Sequence, residues 1–123
     1  MNNRQRILLV DDNPENLELL GARLRALGYQ TTMAFDGAQA LESVRRELPD
    51  LVVLDVMMPE LNGFQVCRAL REISPGLPVI MLTSKSEPAD RYWATQCGAN
   101  AFLRKPVDPV VVVRQVADLL ERK

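Results

Sequence analysis

The stretch "DLVVLDVMMPELNG" (residues 50–63) indicates both how the chain folds and where its chemistry lies. Residues 51–54 form an aliphatic run, which is typical of a strand buried on both faces of a sheet. The run ends at Asp55, and a loop rich in proline and glycine follows. A buried carboxylate is unfavourable unless it is paired, hydrogen-bonded or bound to a metal. Asp55 therefore either caps the following turn or is held at the strand end for chemistry.

The composition is typical of one globular domain, predicted to span residues 1–123, with 47% hydrophobic and 25% charged residues. The formal net charge of −1 provides no basic field for nucleic acid or anionic membrane. The aliphatic runs at 7–10 and 110–113 are too short to span a bilayer, and "MNNRQR" lacks the apolar region of a signal peptide. We expect a cytoplasmic protein with no nucleic-acid or membrane partner.

Histidine is absent from the sequence, which removes the usual zinc ligands and any histidine-based acid/base or phosphocarrier role. Phosphate chemistry would therefore have to use a carboxylate.

The two cysteines, Cys67 and Cys97, are expected to be small buried side chains in a reducing compartment. A disulfide or a metal pair would need partners that the sequence does not offer.

Apolar runs alternate along the chain with segments whose apolar residues recur every three or four positions. Strands are predicted at 5–10, 29–35, 51–55, 78–83 and 100–104, and helices at 14–27, 38–48, 63–73, 87–97 and 109–122. Five strands alternating with five helices predict a parallel α/β sheet covered on both faces, with right-handed crossovers.

The helix ends carry recognisable signals: Asn13 and Asp108 are predicted N-caps, each followed by proline, and Gly28 is a predicted stop. The residues expected to face inward are Leu17, Leu20, Leu24 and Leu27; Ala38, Leu41, Val44 and Leu48; Val66, Cys67, Leu70 and Ile73; and Val113, Val116, Ala117 and Leu120. The last segment, "VVVVRQV", is β-branched and would favour a strand by propensity alone, but its caps and spacing predict a helix.

Polar residues lie at the ends of four of the five predicted strands or just after them: Asp11 and Asp12, Asp55, Thr83, and Lys105. Because the carboxyl ends of parallel strands meet at one edge, we expect these side chains to converge. Three neighbouring carboxylates repel one another, and Mg²⁺ would relieve that repulsion. One carboxylate can then act as a nucleophile and form an acyl phosphate, with the hydroxyl and the ammonium contacting the phosphoryl oxygens.

The same residues also allow other interpretations. Asp11 and Asp12 could cap a helix, and Thr83 and Lys105 would alone be ordinary strand-end and surface residues. A flavodoxin-like FMN binder should offer hydroxyls and amides in its first loop, where "DDNPEN" offers negative charge. A phosphatase of the haloacid-dehalogenase type would need an acid two residues after its nucleophile, and Met57 stands there.

The motifs "LLVDD", "VVLDVMMPELNG", "IMLTS" and "FLRKP" occur in an order and at intervals that resemble a response-regulator receiver domain, the module typified by the bacterial chemotaxis regulator. The resemblance covers essentially all 123 residues. It implies a flavodoxin-like (βα)5 fold, with a five-stranded parallel sheet of order 2-1-3-4-5 between five helices.

The resemblance also implies a role for each matching residue around the metal. Asp55 matches the phosphoacceptor and a metal ligand, Asp12 a direct Mg²⁺ ligand, and Asp11 a carboxylate that usually acts through water. Met57 matches the position whose backbone carbonyl completes the site. The loop after the phosphoacceptor is shaped by Pro59 and Gly63.

A second set of matching residues concerns the phosphoryl group and the response to it. Thr83 matches the switch hydroxyl and Lys105 the phosphate-pairing lysine. Phe102 matches the aromatic residue that turns inward on activation, although it lacks the hydroxyl of the frequent tyrosine. The bond between Lys105 and Pro106 is cis in the family, which the sequence permits.

The implied function is two-component signal transduction: a histidine kinase or phosphotransfer protein donates a phosphoryl group to Asp55 in the presence of Mg²⁺. The protein is then a phosphoacceptor that assists its own phosphorylation and dephosphorylation, rather than an enzyme. Its target protein would read the surface formed by the fourth helix, fifth strand and fifth helix. We expect a stand-alone receiver or a piece of a larger regulator, with more likeness to chemotaxis-type than to DNA-binding regulators. Tyr92 and Trp93 fit an interaction face and a partial core equally well.

Overall fold

The computed structural model describes residues 5–55, 63–83, 96–105 and 107–121. The strands are β1 (Arg6–Val10), β2 (Gln30–Ala34), β3 (Leu51–Asp55), β4 (Val79–Thr83) and β5 (Ala101–Arg104). The helices within these ranges are α1 (Pro14–Ala26), α2 (Gly37–Arg46), α3 (Gly63–Ile73) and α4 (Pro109–Glu121). All strand pairs are parallel, and their order β2-β1-β3-β4-β5 confirms the prediction.

The helix predicted at 87–97 lies outside the described residues except for positions 96 and 97, which are helical. Helix α4 is therefore the predicted fifth helix. Its β-branched run folds as a helix because Asp108 caps it: Asp108 Oδ1 accepts a hydrogen bond from Val110 N at 2.9 Å. The Asn13 side chain caps α1 in the same way, through Glu15 N. Gly28, with φ 95°, follows the end of α1 as predicted.

Each face of the sheet packs against helices. Successive side chains of a strand point to opposite faces and so contribute to two separate cores. The α2/α3 core lies on one face and includes Leu8, Val10, Val44, Val52, Leu54, Val66, Leu70 and Met81. The α1/α4 core lies on the other and includes Ile7, Leu9, Leu17, Leu24, Leu51, Val53, Ile80 and Val116. Every residue of β3 and β4 is buried. The central strands are thus held by apolar packing from both sides, which fixes where their carboxyl ends lie.

Three residues predicted to face inward are exposed instead. Leu27 is 51% exposed because α1 ends at Ala26, and Leu48 is 53% exposed because α2 ends at Arg46. Ala38 is exposed because the buried face of α2 is formed by Gly37, Ala40 and Val44. The predictions failed at helix termini, where the helical period no longer determines the direction of a side chain.

The buried face of α4 is also rotated relative to the prediction. Val112, Val116, Leu119 and Leu120 are buried, whereas Val113 and Ala117 are only partly buried. A run of four valines gives no apolar contrast between neighbouring positions, so its inner face could not be read from hydrophobicity. Among the described residues, no helix is long and apolar enough to cross a membrane.

Candidate functional site at the carboxyl ends of the strands

Four strands bring the predicted site residues to one edge of the sheet. Asp11 follows β1, Asp55 is the last residue of β3, Thr83 is the last residue of β4, and Lys105 follows β5. The strands are in parallel register, with Val10 opposite Leu54 and Thr83 opposite Arg104. The edge therefore collects side chains that are far apart in sequence, as the parallel topology requires.

Three carboxylates form a cluster at this edge. One oxygen each from Asp11, Asp12 and Asp55 lies within 4.8 Å of the other two. Asp11 and Asp55 are 5% and 4% exposed, and Asp12 is open to solvent. Carboxylate oxygens in this grouping fit a hard divalent cation that keeps part of its water shell, which is the preference of Mg²⁺.

Lys105 supplies positive charge to the two buried members of the cluster. Its Nζ lies 3.2 Å from Asp55 Oδ2 and 3.4 Å from Asp11 Oδ2. An ammonium at these distances offsets the repulsion between the carboxylates and the loss of their hydration. The sequence predicted Lys105 as a partner for a phosphoryl group, and the structure adds that it bridges two acids.

Asp11 is oriented by the loop that follows it. Its Oδ1 accepts a hydrogen bond from Asn13 N at 2.9 Å, and its Oδ2 accepts one from Asn16 Nδ2 at 3.3 Å. Its own backbone N–H donates to Ala34 O at 3.2 Å. Sequence reasoning missed Asn16; the only available signal was an amide in the first turn of α1, five residues after the acid.

Thr83 ends β4, and Phe102 lies on β5 opposite Met81. Thr83 is fully buried, and its carbonyl accepts a hydrogen bond from Lys105 N at 2.6 Å, which extends the β4–β5 pairing to the site. Phe102 is partly buried and packs against the α2/α3 core. Gly63 is buried at the start of α3. Met57, Pro59, Pro106, Tyr92 and Trp93 lie outside the described residues.

An apolar cavity of about 510 Å³ borders the cluster between α1 and α4. Asp11, Asn16 and Lys105 form its polar edge. The remaining lining is apolar: Leu9, Val10, Leu17, Leu19, Leu20, Val53, Leu82, Val107, Pro109 and Val112. A molecule approaching from this side would meet aliphatic surface before it meets charge.

The fold and the acidic edge define a class of protein, and comparison with known families identifies it. The model of the response regulator receiver domain family matches residues 7–117. The chain therefore belongs to the response regulator receiver domain family, whose members act in two-component signal transduction.

Individual relatives agree with this assignment. The chain is 45% identical over 119 residues to the DNA-binding response regulator MtrA of Mycolicibacterium smegmatis, covering 97% of this chain and 52% of that protein. The chain thus spans about half the length of the curated relatives it matches first.

Solved structures give the same result for the fold. A CheY-like response regulator receiver domain from Methanospirillum hungatei superimposes with a TM-score of 0.93 at 25% identity, over 98% of this chain and 96% of that one. The signal receiver domain of a signal transduction histidine kinase from Syntrophus aciditrophicus gives 0.89 at 38% identity, over 95% and 90%. The flavodoxin-like fold predicted from the sequence is therefore confirmed.

Some predictions from the sequence are not confirmed by these comparisons. The predicted absence of a nucleic-acid partner is not confirmed, because MtrA is described as a DNA-binding regulator. The likeness to chemotaxis-type regulators and the stand-alone or excised state of the chain stay predictions.

Proposed function

We propose that Asp55 accepts a phosphoryl group from the phosphohistidine of a histidine kinase or phosphotransfer protein. The observation that carries this proposal is the buried Asp55 carboxylate at the end of β3, with Lys105 at 3.2 Å and two further carboxylates beside it. A capping role for Asp55 would need none of these neighbours. In this proposal residues 1–123 act as one cytoplasmic receiver domain.

Asp11, Asp12 and Asp55 are the residues proposed to hold Mg²⁺, Asp11 through water, together with the carbonyl of Met57. Support comes from the three carboxylate oxygens within 4.8 Å and from the exposed position of Asp12, which leaves the site accessible to a hydrated ion. When bound, such an ion neutralises charge on the phosphoryl oxygens.

The transfer itself uses residues of this chain. An Asp55 carboxylate oxygen attacks the phosphorus in line, the P–N bond breaks, and the partner histidine leaves, so that Asp55 becomes an acyl phosphate. Lys105, already beside Asp55 Oδ2, pairs with one phosphoryl oxygen. The Thr83 hydroxyl donates a hydrogen bond to another. Water later hydrolyses the acyl phosphate and returns the carboxylate.

The signal would leave the site along β5. Movement of Thr83 towards the phosphoryl group and of Phe102 into the core would shift an equilibrium between two conformations. The surface of the predicted fourth helix, β5 and α4 would then present a different face to a target protein. Phe102 supports this route because it is only partly buried and packs against the α2/α3 core.

Incubation with acetyl phosphate, with and without Mg²⁺, followed by intact mass measurement, tests the assignment. We expect the wild-type chain to gain one phosphoryl group only with Mg²⁺, and Asp55→Asn to gain none. Asp36→Asn is the matched control, because Asp36 is not one of the three grouped acids and asparagine preserves the N-cap of α2. An unmodified wild type, or equal modification of Asp55→Asn, would contradict the proposal.

A further inference from the structure

Cys67 and Cys97, thirty residues apart, lie together in the α2/α3 core. Cys67 belongs to α3, and Cys97 precedes the turn that leads into β5. The Cys67 thiol donates a hydrogen bond to the carbonyl oxygen of Cys97 at 3.3 Å, and both side chains are buried, at 0% and 3% exposure. Neither Cys67 nor Cys97 is in a disulfide.

The surroundings of the two thiols shift their pKa values in opposite directions. A hydrogen bond from Cys67, followed by one from the backbone of Ala99, lowers the pKa of Cys97 to about 7, against the opposing effect of burial. The neighbouring Cys97 side chain, followed by burial, raises the pKa of Cys67. The Arg71 guanidinium favours the thiolate form of both. Of the two sulfurs, Cys97 is therefore the one that forms a thiolate more readily, and Cys67 is the one that keeps its proton.

Arg71 fixes the distance between the elements that carry the cysteines. It projects from α3, and its Nε and Nη2 donate to Gly98 O at 2.9 and 2.6 Å. Its Nη2 also donates to Asn100 Oδ1 at 2.7 Å. The backbone on the C-terminal side of Cys97 is thereby tied to α3, one helical turn beyond Cys67. The fold, rather than chance, keeps the thiols together.

We propose that Cys67 and Cys97 form a redox modification site, which a hydroperoxide converts into an intramolecular disulfide. The Cys97 sulfur attacks the peroxide, the O–O bond breaks, and an alkoxide or hydroxide leaves and takes a proton, giving a sulfenic acid at Cys97. The Cys67 sulfur then attacks the Cys97 sulfur; the S–S bond forms, the S–O bond breaks, and hydroxide leaves with the Cys67 proton as water. Two thiols and one hydroperoxide thus give one disulfide, one alcohol or water, and one water.

The disulfide would join α3 covalently to the segment that enters β5. That strand carries Phe102 and leads to Lys105. Oxidation would therefore act on the part of the chain through which the proposed function sends its signal, and a thiol reductant would reverse it. The chemistry itself uses neither Asp55 nor a cation.

Treatment of the full chain with hydrogen peroxide, followed by alkylation and intact mass measurement, is the direct test. We expect a loss of two hydrogens, no alkylated cysteine, a linked Cys67–Cys97 peptide, and full recovery with dithiothreitol. Untouched thiols, sulfinic or sulfonic products, or disulfides between chains would overturn the proposal. Asp55→Asn should behave as wild type, which separates this result from the fate of the phosphoacceptor assignment.

A second measurement does not depend on how easily peroxide reaches a buried thiol. Equilibration in glutathione redox buffers gives the effective concentration of the two thiols for disulfide formation. The measurement is made on the folded chain in native buffer and on the unfolded chain in urea. We expect at least about a tenfold higher value in the native chain; an equal or lower native value would overturn the proposal. As variants, Cys67→Ser should stop at a trappable sulfenic acid on Cys97, whereas Cys97→Ser should leave Cys67 unmodified. If either serine variant fails to fold, the wild-type comparison still decides.

Discussion

Asp11 and Asp55 are buried acids, and the Lys105 side chain offsets the charge of both. Lys105 is 26% exposed, so its own desolvation is only partial. The Lys105 ammonium lowers the repulsion between the two buried carboxylates, and its own desolvation costs little because it stays partly hydrated. The same ammonium also repels a divalent ion entering the cluster, so Lys105 is expected to stabilise the metal-free form and to weaken metal binding.

Lys105→Met should therefore have two opposite effects. In EDTA we expect the free energy of unfolding to fall by about 1–3 kcal/mol, because two buried carboxylates lose their counter-charge. The dissociation constant for Mg²⁺ should fall because the competing charge is gone. Urea denaturation in EDTA and a Mg²⁺ titration measure these effects. Arg104→Met, at the exposed neighbouring position on β5, is the control; equal losses in both variants would contradict the bridging role.

Tyr29 provides a pH-dependent prediction outside the site. Burial, followed by the nearby charge of Glu121, raises the pKa of Tyr29 above its usual value of 10.0. The unfolded chain then releases the phenolic proton at lower pH than the folded one, so stability should decline from about pH 10 upwards. Tyr29→Phe should remove this part of the decline. Urea denaturation between pH 7 and 11 checks it, and an identical slope in both proteins would refute it.

At the residue scale, the sequence predicted the site residues that lie at the ends of strands. Asp11, Asp12, Asp55 and Lys105 could be predicted as neighbours because parallel strands place their carboxyl ends together. Asn16 could not, since its contact with Asp11 depends on how α1 leaves the loop. The proximity of the two cysteines was equally hidden, because it arises from packing across the α2/α3 core.

Among the elements, α3 is tied to the loops at its carboxyl end by Arg71. Its guanidinium donates to Gly98 O and Asn100 Oδ1, as described, and also to the carbonyls of Pro75 and Leu77. Asn100 Oδ1 in turn accepts a hydrogen bond from Val79 N at 2.9 Å, at the start of β4. One side chain therefore joins α3 to the entrances of β4 and β5.

Arg71→Met should lower the free energy of unfolding by about 1.5–3 kcal/mol, because several carbonyls lose a charged donor. Arg68→Met, at an exposed position of the same helix, is the matched control and should change stability by less than about 0.5 kcal/mol. Urea denaturation of both variants gives the comparison. Similar stabilities would show that water replaces the guanidinium without loss.

Within the described parts of the chain, the elements were predictable to within one or two residues, because prolines, caps and glycines mark their ends. Strand β3 and helix α3 were predicted with the observed bounds. The inner face of α4 was harder to predict from the sequence, because four consecutive valines show no alternation between apolar and polar positions. Its helical state was decided by Asp108 and Pro109, which override the β preference of the run.

For the whole molecule, alternation of strands and helices was enough to predict a parallel, doubly covered sheet. It was not enough for the strand order, which rested on the resemblance to a family. Many orders satisfy the same alternation and bury similar apolar area. The observed order places β1 and β3 side by side at the centre, and this adjacency creates the acid cluster.

Mg²⁺ should stabilise the whole molecule if the cluster binds it only when folded. At a concentration one hundred times the dissociation constant, the free energy of unfolding should rise by about 2.7 kcal/mol. Denaturation with Mg²⁺, against EDTA at matched ionic strength, measures the rise. Asp12→Ala should abolish it, whereas Glu15→Gln, an exposed acid in the first turn of α1, should retain it. A rise that survives Asp12→Ala would place the ion elsewhere.

Strand β5 lies at the border of the sheet and pairs with β4 alone. Displacing an edge strand breaks one ladder of hydrogen bonds, whereas displacing β1, β3 or β4 would break two. An element that must move is best located on an edge strand, which is the easiest to displace. A residue that is covalently modified is best located on a central strand, which is the hardest to displace. In the proposed function, the modified residue Asp55 would therefore lie on a central strand, and the responding residue Phe102 on an edge strand.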